Sequence, residues 1–413
     1  MERGEELIMR FWGVTGTNGK TTTTWILAEF INAAKDRKCG YVTTVEVNTG
    51  SRRFYTGYTT PPLAQLKEIF AEMEANGCTD CVMEVSSHAI HQHRTGDTVF
   101  SGGVFTNLSE DHLDYHKTME AYFDVKLDFA RQIAAAHPTT PDMGRRDLPP
   151  YVVCLDGGYG REMFNAVGNL AVNVIPVSAK KVVVGKSESY SGIFNIRCTT
   201  TTPNYDLTDL QLAGDYNRSN VLCAAALAEA AGVPHNAIQA VIPTLKPRWG
   251  RLEYVECASK AKVYVDFAHT PDGLEKVLAA ARGFTPSGRG LWVVFGAGGD
   301  RDPMKRPLMG EACAKLADRL VVTSDNPRSE DPLKIIDAIL EGARSVNRSS
   351  FNLQPSTFLF VEPDRKMAIE FALREAGEGD VVIIAGKGHE TTQEIKGVKH
   401  PFDDREIVRN FAG

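Results

Sequence analysis

Short apolar runs alternate with helix-forming stretches along most of this chain. Phe11-Trp12-Gly13-Val14-Thr15 reads as a short buried strand, and Thr21 to Ala34 as the helix after it. Cys81-Val82-Met83 is a second apolar run and leads to Glu84. LAGDYNRSNVLCAAALAEAAGV, residues 212–233, predicts an alanine-rich amphipathic helix. A new unit opens at Ala261, where KVYVDFAHTPDGLEKVLAAAR gives a strand, a turn and a helix, with Pro271 near the helix start. LWVVFGAGG, LVVTSDNPR and VVIIAGKGHE each put an apolar strand before glycines or polar residues. Strands alternating with helices at this spacing predict an α/β fold with mostly parallel sheets. Ligands collect at the carboxyl ends of such strands, where the informative polar residues lie. HPTTPDMGRRDLPP, residues 137–150, is polar and proline-rich and predicts an exposed loop.

At 413 residues the chain exceeds a single hydrophobic core, and its boundaries are expected near 1–248 and 249–413. A net charge of −6 gives no electrostatic reason for nucleic-acid or membrane binding. No apolar run approaches the ~20 residues of a spanning helix, and the N-terminus lacks a signal peptide's apolar core. Eight cysteines without a framework pattern suit reduced thiols and a cytoplasmic location. Cys78 and Cys81 form a CxxC, but no second pair accompanies them, and they are read as structural.

The chemistry begins at GVTGTNGKTTTTW, residues 13–25. A tight turn between a strand and a helix aims backbone N–H groups and the helix's positive end at one point, which suits phosphate. Gly16 and Gly19 allow close approach, Lys20 supplies a cation, and the Thr21 hydroxyl is placed to ligate Mg²⁺. The spacing departs from G-x4-G-K-[ST]: Val14 holds the first glycine's place, and Gly13 comes one residue early. Further on, Glu84, Asp111 and His112 sit at or beyond strand ends, where a carboxylate and an imidazole could hold Mg²⁺ beside a bound phosphate. His88, His91, His93 and His116 form a dense histidine neighbourhood to which no role is assigned.

GTNGKTT, residues 16–22, resembles the phosphate loop of the Mur ligase family, and folylpolyglutamate synthetases share it. EVSSH at 84–88 and TNLSEDHLDYHKTMEAYFDVK at 106–126 resemble the MurE branch in particular. The resemblance implies a P-loop central Mur ligase domain followed by a Rossmann-like α/β C-terminal domain. It implies ATP and Mg²⁺ as cofactors, with Gly16, Thr17, Asn18, Gly19, Lys20, Thr21 and Thr22 around the nucleotide. Asn217 and Asn220 would reach adenine, Asp266 the ribose, and Arg251, from KPRWGRLE, the phosphates. Thr21, Glu84, His112 and a carbamylated Lys126 would hold metal, since a carbamate turns an ammonium into a carboxylate-like group. Thr59 and Thr60 of TTPP, with Ser86, Gln92 and Arg94, would contact the acceptor peptide. DNPR at 325–328 accompanies meso-diaminopimelate in that branch, which implicates Asp325, Asn326 and Arg328, joined by Arg301, Gly386 and Glu390. In YVVCLDGGYG, Cys154 and Gly157 depart from the family pattern while Asp156, Tyr159 and Gly160 remain, which is read as a relaxed loop.

The implied reaction is ATP-dependent amide ligation. A carboxylate, expected to be that of a D-Glu in a muramoyl dipeptide, becomes an acyl phosphate and is captured by an amine, within a cleft that domain closure dries. Partners are then small molecules. A complete member of the branch carries a uridine-binding domain ahead of the phosphate loop, whereas twelve residues precede Gly13 here. The expectation is an acceptor without UDP, a partner supplying that domain, or a shortened chain. Two other readings are a folylpolyglutamate-synthetase-like ligase, which DNPR and TTPP oppose, and a non-catalytic nucleotide-binding subunit, which the set Lys20, Glu84, His112 and Lys126 opposes.

Overall fold

Eight strands build the first sheet: β1 (Arg10–Thr15), β2 (Cys39–Val42), β3 (Val47–Asn48), β4 (Arg53–Phe54), β5 (Asp80–Glu84), β6 (Phe100–Phe105), β7 (Pro150–Cys154) and β8 (Asn173–Val177). Their order is β4-β3-β2-β5-β1-β6-β7-β8. Pairing is parallel from β2 to β8, and only β3 and β4 run antiparallel to their neighbours. The computed structural model describes residues 9–140, 142–180, 204–346 and 358–412. The chain divides into two units, one from Met1–Ser109, His116–Gln211 and Asp215–Leu245, the other from Glu110–Tyr115, Leu212–Gly214 and Lys246–Gly413.

In the first unit β1 is central, with β5 on one side and β6 on the other, and its last four residues are buried. Gly13, the glycine that misses the phosphate-loop spacing, has its reason here. A Cβ at Gly13 would lie 2.2 Å from the Phe129 ring, and one at Gly103 3.0 Å from it. Two glycines on adjacent strands thus make room for Phe129 of the helix Met119–Ala136. The helix Asp215–Ala230 corrects the amphipathic reading of that stretch. Asn217 and every residue from Ser219 to Ala228 are buried, so alanines and small residues let it pack on all sides. Seven described cysteines are free thiols. Burial raises the Cys39, Cys78 and Cys81 thiols, which suits inert packing. Residues 137–140 and 142–149 are loop apart from one 3₁₀ turn at Arg145–Asp147, and Pro150 opens β7.

The second unit holds β9 (Glu253–Tyr254), β10 (Lys262–Asp266), β11 (Leu291–Phe295), β12 (Arg319–Val322), β13 (Leu359–Val361) and β14 (Val381–Ala385), ordered β13-β12-β11-β14-β10-β9. All pairs but β9–β10 are parallel. Alternation along β14 builds two cores. Val381, Ile383 and Ala385 pack with the helices Pro271–Phe284, Lys305–Leu316 and Pro332–Ser345, while Val382 and Ile384 face the helix Arg365–Glu375. Glycines let two of these helices meet closely. A Cβ at Gly310 would lie 2.0 Å from the Ile339 carbonyl oxygen, and one at Gly342 1.8 Å from that of Pro307. A hairpin, β15 (Thr392–Ile395) with β16 (Val398–Pro401), completes the unit. Among the described residues no helix is long and apolar enough to cross a membrane.

Candidate active site

β1 ends at Thr15 and the helix Lys20–Asn32 begins five residues later, so Gly16 to Gly19 form the turn. Gly16 (φ +145°) and Gly19 (φ +84°) adopt conformations that L side chains rarely reach. A Cβ at Gly16 would lie 1.9 Å from Thr106 Oγ1, and one at Gly19 2.5 Å from Asn220 Oδ1. As N-cap, Gly19 has no side chain to occupy the first-turn N–H groups, which leaves that end of the helix suited to an anion. Asn107 and Thr106, just past β6, brace the turn. The Thr17 amide donates to the Asn107 carbonyl (2.9 Å), the Asn18 amide to Asn107 Oδ1 (3.0 Å), and Thr106 Oγ1 to the Asn18 carbonyl (2.7 Å).

Two lysines converge on one carbonyl. Lys20 Nζ donates to the Gly16 carbonyl (3.0 Å) and the Thr17 carbonyl (2.8 Å), and Lys126 Nζ reaches the same Gly16 oxygen at 2.8 Å. Lys126 is 1% exposed although it lies on a helix, so it is not a solvated surface lysine. Its ammonium lies 4.6 Å from the Tyr122 ring centroid, and Tyr122 hydrogen-bonds Thr17 Oγ1 at 3.1 Å. Thr21 Oγ1 donates to Glu84 Oε1 at 2.7 Å. Glu84 ends β5 and is buried, and it also accepts from the Thr44 amide (2.8 Å) and hydroxyl (3.2 Å). Thr22 sits in the first turn of the helix. Asn217 and Asn220 are buried on the helix Asp215–Ala230 and joined by a 3.3 Å bond. His112 lies in the Glu110–Tyr115 stretch that groups with the second unit, with φ +56° and Nε2 3.4 Å from Asp111.

The acceptor candidates share the carboxyl end of β5. Thr59 Oγ1 accepts from the Thr44 hydroxyl (3.0 Å), and Thr60 Oγ1 donates to the Glu84 carbonyl (2.8 Å) and accepts from the Ser86 amide (3.1 Å). Ser86 caps the short helix Ser87–His91. Arg94 donates to the Thr60 carbonyl (3.1 Å) and to Gln92 Oε1 (2.7 Å). His116 stacks on Tyr122 (4.9 Å between centroids) and bonds Ser87 Oγ at 2.9 Å, with His88 and His91 packed against it. Among the described residues no three His, Cys, Asp or Glu side chains are placed to share a metal ion.

In the second unit the loops after β11, β12 and β14 carry the candidates for the amino acid. Asp325 is 6% exposed, and its Oδ1 has no hydrogen-bond partner, lying 3.8 Å from the Lys387 ammonium. Asn326 Nδ2 donates to Glu390 Oε2 (2.9 Å), and Lys387 Nζ donates to Asn326 Oδ1 (3.1 Å) and Glu390 Oε2 (3.0 Å). Gly386 has φ +118°, and a Cβ there would lie 2.8 Å from Asp325 Oδ2. Arg328 (φ +51°) donates to the Gly299 carbonyl (2.6 Å), and its Nε lies 3.7 Å from Glu394. Gly298 borders both Arg328 and Arg301; a Cβ there would be 3.0 Å from Arg328 Nη1 and 3.8 Å from Arg301 Cγ. Arg301 is exposed and bonds the Asp300 carbonyl at 3.0 Å. Asp266, at the end of β10, accepts the Leu252 and Ala268 amides, each at 2.7 Å. Burial raises its carboxyl above the usual range, against the lowering pull of Arg251. The Arg251 guanidinium lies 4.6 Å from the Phe267 ring centroid.

Three participants escaped the reading of the chain. Asn107 and Lys387 stood inside quoted motifs without an assigned part, whereas Thr44 carries no local signal.

Residues 14–228 match the Mur ligase middle domain, and residues 250–388 match the Mur ligase glutamate ligase domain. The UDP-N-acetylmuramoyl-L-alanyl-D-glutamate–2,6-diaminopimelate ligase of Neisseria meningitidis is 37% identical over 406 residues, spanning 97% of this chain and 77% of the relative. A solved structure of a ligase of the same name is 31% identical, with a TM-score of 0.57 over 97% of this chain and 77% of its own. Mycobacterium tuberculosis folylpolyglutamate synthase, complexed with ADP and AMPPCP, shares the fold at 18% identity, with a TM-score of 0.59 over 92% of this chain and 89% of its own.

Proposed function

Since this chain belongs to the Mur ligase family, ATP-dependent acid–amino-acid ligases, we propose that it joins meso-diaminopimelate to the D-Glu carboxylate of a muramoyl dipeptide or a related acceptor. The observation that carries the reading is the convergence of Lys20 and Lys126 on the Gly16 carbonyl, beside the Thr21–Glu84 pair. A carboxylate is a poor electrophile, and phosphorylation gives it a leaving group. The acceptor carboxylate attacks the terminal phosphorus of ATP, releasing ADP and leaving an acyl phosphate. The free amine of the diamino acid then adds to the carbonyl carbon, and the tetrahedral intermediate loses phosphate and a proton to give the amide.

The first-turn amides after Gly19, together with Lys20, meet the charge on the transferring phosphoryl group, and Arg251 adds a second cation to the nucleotide. A hydroxyl and a carboxylate 2.7 Å apart suit a hard dication. Thr21 and Glu84, joined by His112 and by Lys126 as its carbamate, would hold Mg²⁺, which when bound neutralises phosphate charge. Thr17, Asn18 and Thr22 line the turn, Asn217 and Asn220 face adenine, and Asp266 faces the ribose. Thr59, Thr60, Ser86, Gln92 and Arg94 bind the acceptor, Arg94 offering its guanidinium fork to a carboxylate. Asp325, Asn326 and Glu390, beside Gly386, take the far ammonium of the diamino acid, and Arg328 and Arg301 take its carboxylates.

The test supplies ATP and Mg²⁺ with meso-diaminopimelate, L-lysine or L-glutamate, and acceptors with and without uridine diphosphate, followed by mass spectrometry. Addition of diaminopimelate is expected, with phosphate released only when acceptor and amine are both present. Addition of L-glutamate to a pteroate-type acceptor would replace this reading with the folylpolyglutamate-synthetase-like one.

A further inference from the structure

β12 and β14 are not hydrogen-bonded to each other, because β11 and its loop lie between them. Backbone pairing alone therefore leaves loose the separation of the loops that leave their carboxyl ends. Those loops carry Asp325 to Arg328 and Gly386 to Glu390. Side chains of the loops themselves meet, Asn326 with Glu390 and Lys387, but at the roots of the loops a guanidinium ties the strand ends. Arg365, the first residue of its helix, is 1% exposed; Nη2 donates to the Ala385 carbonyl (2.9 Å), and Nη1 reaches the Ser324 carbonyl (3.4 Å). These carbonyls immediately precede Gly386 and Asp325. Asp404 grips the remaining edge of the fork, accepting from Nε at 2.9 Å and from Nη2 at 2.7 Å, and neither side chain is exposed. A buried ion pair is a poor device for stability alone, since an apolar pair of similar volume avoids the desolvation. What this one adds is directed bonds to two carbonyls that flank the same site.

We propose that Arg365, locked by Asp404, is a positioning residue for the amino-acid substrate. It fixes the spacing between Asp325 and the turn from Gly386 to Glu390, and with it the length of side chain whose far end fits there. The inference rests on the assignment of the DNPR loop to the amino acid. Its test uses the full chain carrying Arg365→Lys, which keeps the charge and loses the fork, and the double variant Arg365→Met with Asp404→Leu, which leaves no orphaned charge. Folding is checked by thermal melting, and KM and kcat are measured for ATP, acceptor, meso-diaminopimelate and L-lysine. The expected result is a KM for meso-diaminopimelate raised about tenfold, with the preference over L-lysine reduced similarly, because small misplacements of a binding group weaken fit steeply. KM for ATP and acceptor should stay near the parent values. A folded double variant with unchanged KM and unchanged preference overturns the proposal. Arg328→Ala and Asp325→Ala run alongside. If they too leave the diamino-acid KM unchanged, the site assignment itself fails; if they raise it and the Arg365 variants do not, only the positioning role fails.

Discussion

At Gly16 two restrictions meet: a φ of +145° and a Thr106 hydroxyl 1.9 Å from any added Cβ. Gly16→Ala should therefore distort the turn on which both lysines converge. The expected outcome is a KM for ATP raised by a factor on the order of ten or more, with the melting temperature changed much less, since the strain falls on a local turn. A second single-residue effect concerns pH. Burial holds the His389 imidazole down to about 3, and Arg251, Arg405 and His269 add to the effect. The unfolded chain takes up a proton near pH 6.5 that the folded chain refuses. Stability present above that pH is thus lost as pH falls from 6.5 towards 3. At pH 5, allowing for the ring's partial exposure, the loss is about 1–2 kcal/mol. Asp266, whose carboxyl is raised by burial, acts in the opposite sense and favours the fold at low pH. The informative quantity is the difference between parent and His389→Gln. Melting curves at pH 7 and pH 5 should show a smaller acid loss in the variant, and equal losses would remove the histidine from the account.

At the scale of elements, the helices Lys305–Leu316 and Pro332–Ser345 depend on backbone-to-backbone contact at Gly310 and Gly342. Helix propensity alone would make Gly342→Ala stabilising by about 1 kcal/mol. Because the new methyl would lie 1.8 Å from the Pro307 carbonyl oxygen, the helices must part instead. The net change should be destabilising by roughly 1–3 kcal/mol, and calorimetry reads the sign directly. Elements also mark where the chain was readable. Strand β1 and the helix after it follow from a compact apolar run, two glycines and a lysine, all within a few residues. The placement of Glu84, Asp266 and the DNPR loop at the carboxyl ends of β5, β10 and β12 was legible because each follows a compact apolar run. The helix Asp215–Ala230 was misread because alanines can pack against neighbours on any side, and no periodicity shows which sides are covered. Gly13 looked like a misplaced phosphate glycine because its actual partner, Phe129, is more than a hundred residues away.

Across the whole molecule, the proposed chemistry separates into two half-reactions whose residues belong to different units. Lys20 and Glu84 stand in the first, Arg328 and Asp325 in the second. Lys20→Ala should abolish acyl-phosphate formation whatever amine is offered. Arg328→Ala should still form it but should capture it poorly. Reductive trapping with borohydride, which converts an acyl phosphate to an alcohol, distinguishes the two. Equal trapping in both variants would argue against this division of labour. The contacts that span long sequence distances, such as Arg365 with Asp404 and Lys126 with Gly16, were the illegible part. Resemblance singled out Lys126 but not its partners, whereas Arg365 looks like any charged residue in a helical stretch until the fold shows what surrounds it.

Lys387 gives the acidic corner of the second unit a property of its own. Its fully buried ammonium already rests against Glu390 and Asn326, with Asp325 3.8 Å away. An arriving ammonium meets a cluster in which one buried lysine offsets only part of the charge of two carboxylates. Attraction between groups in direct contact, with Lys387 and Asp325 withdrawn from solvent, responds less to added salt than attraction between exposed charges. Capture of the diamino acid's far ammonium there should weaken only modestly from dilute buffer to physiological ionic strength, as recognition by contact and not by long-range pull.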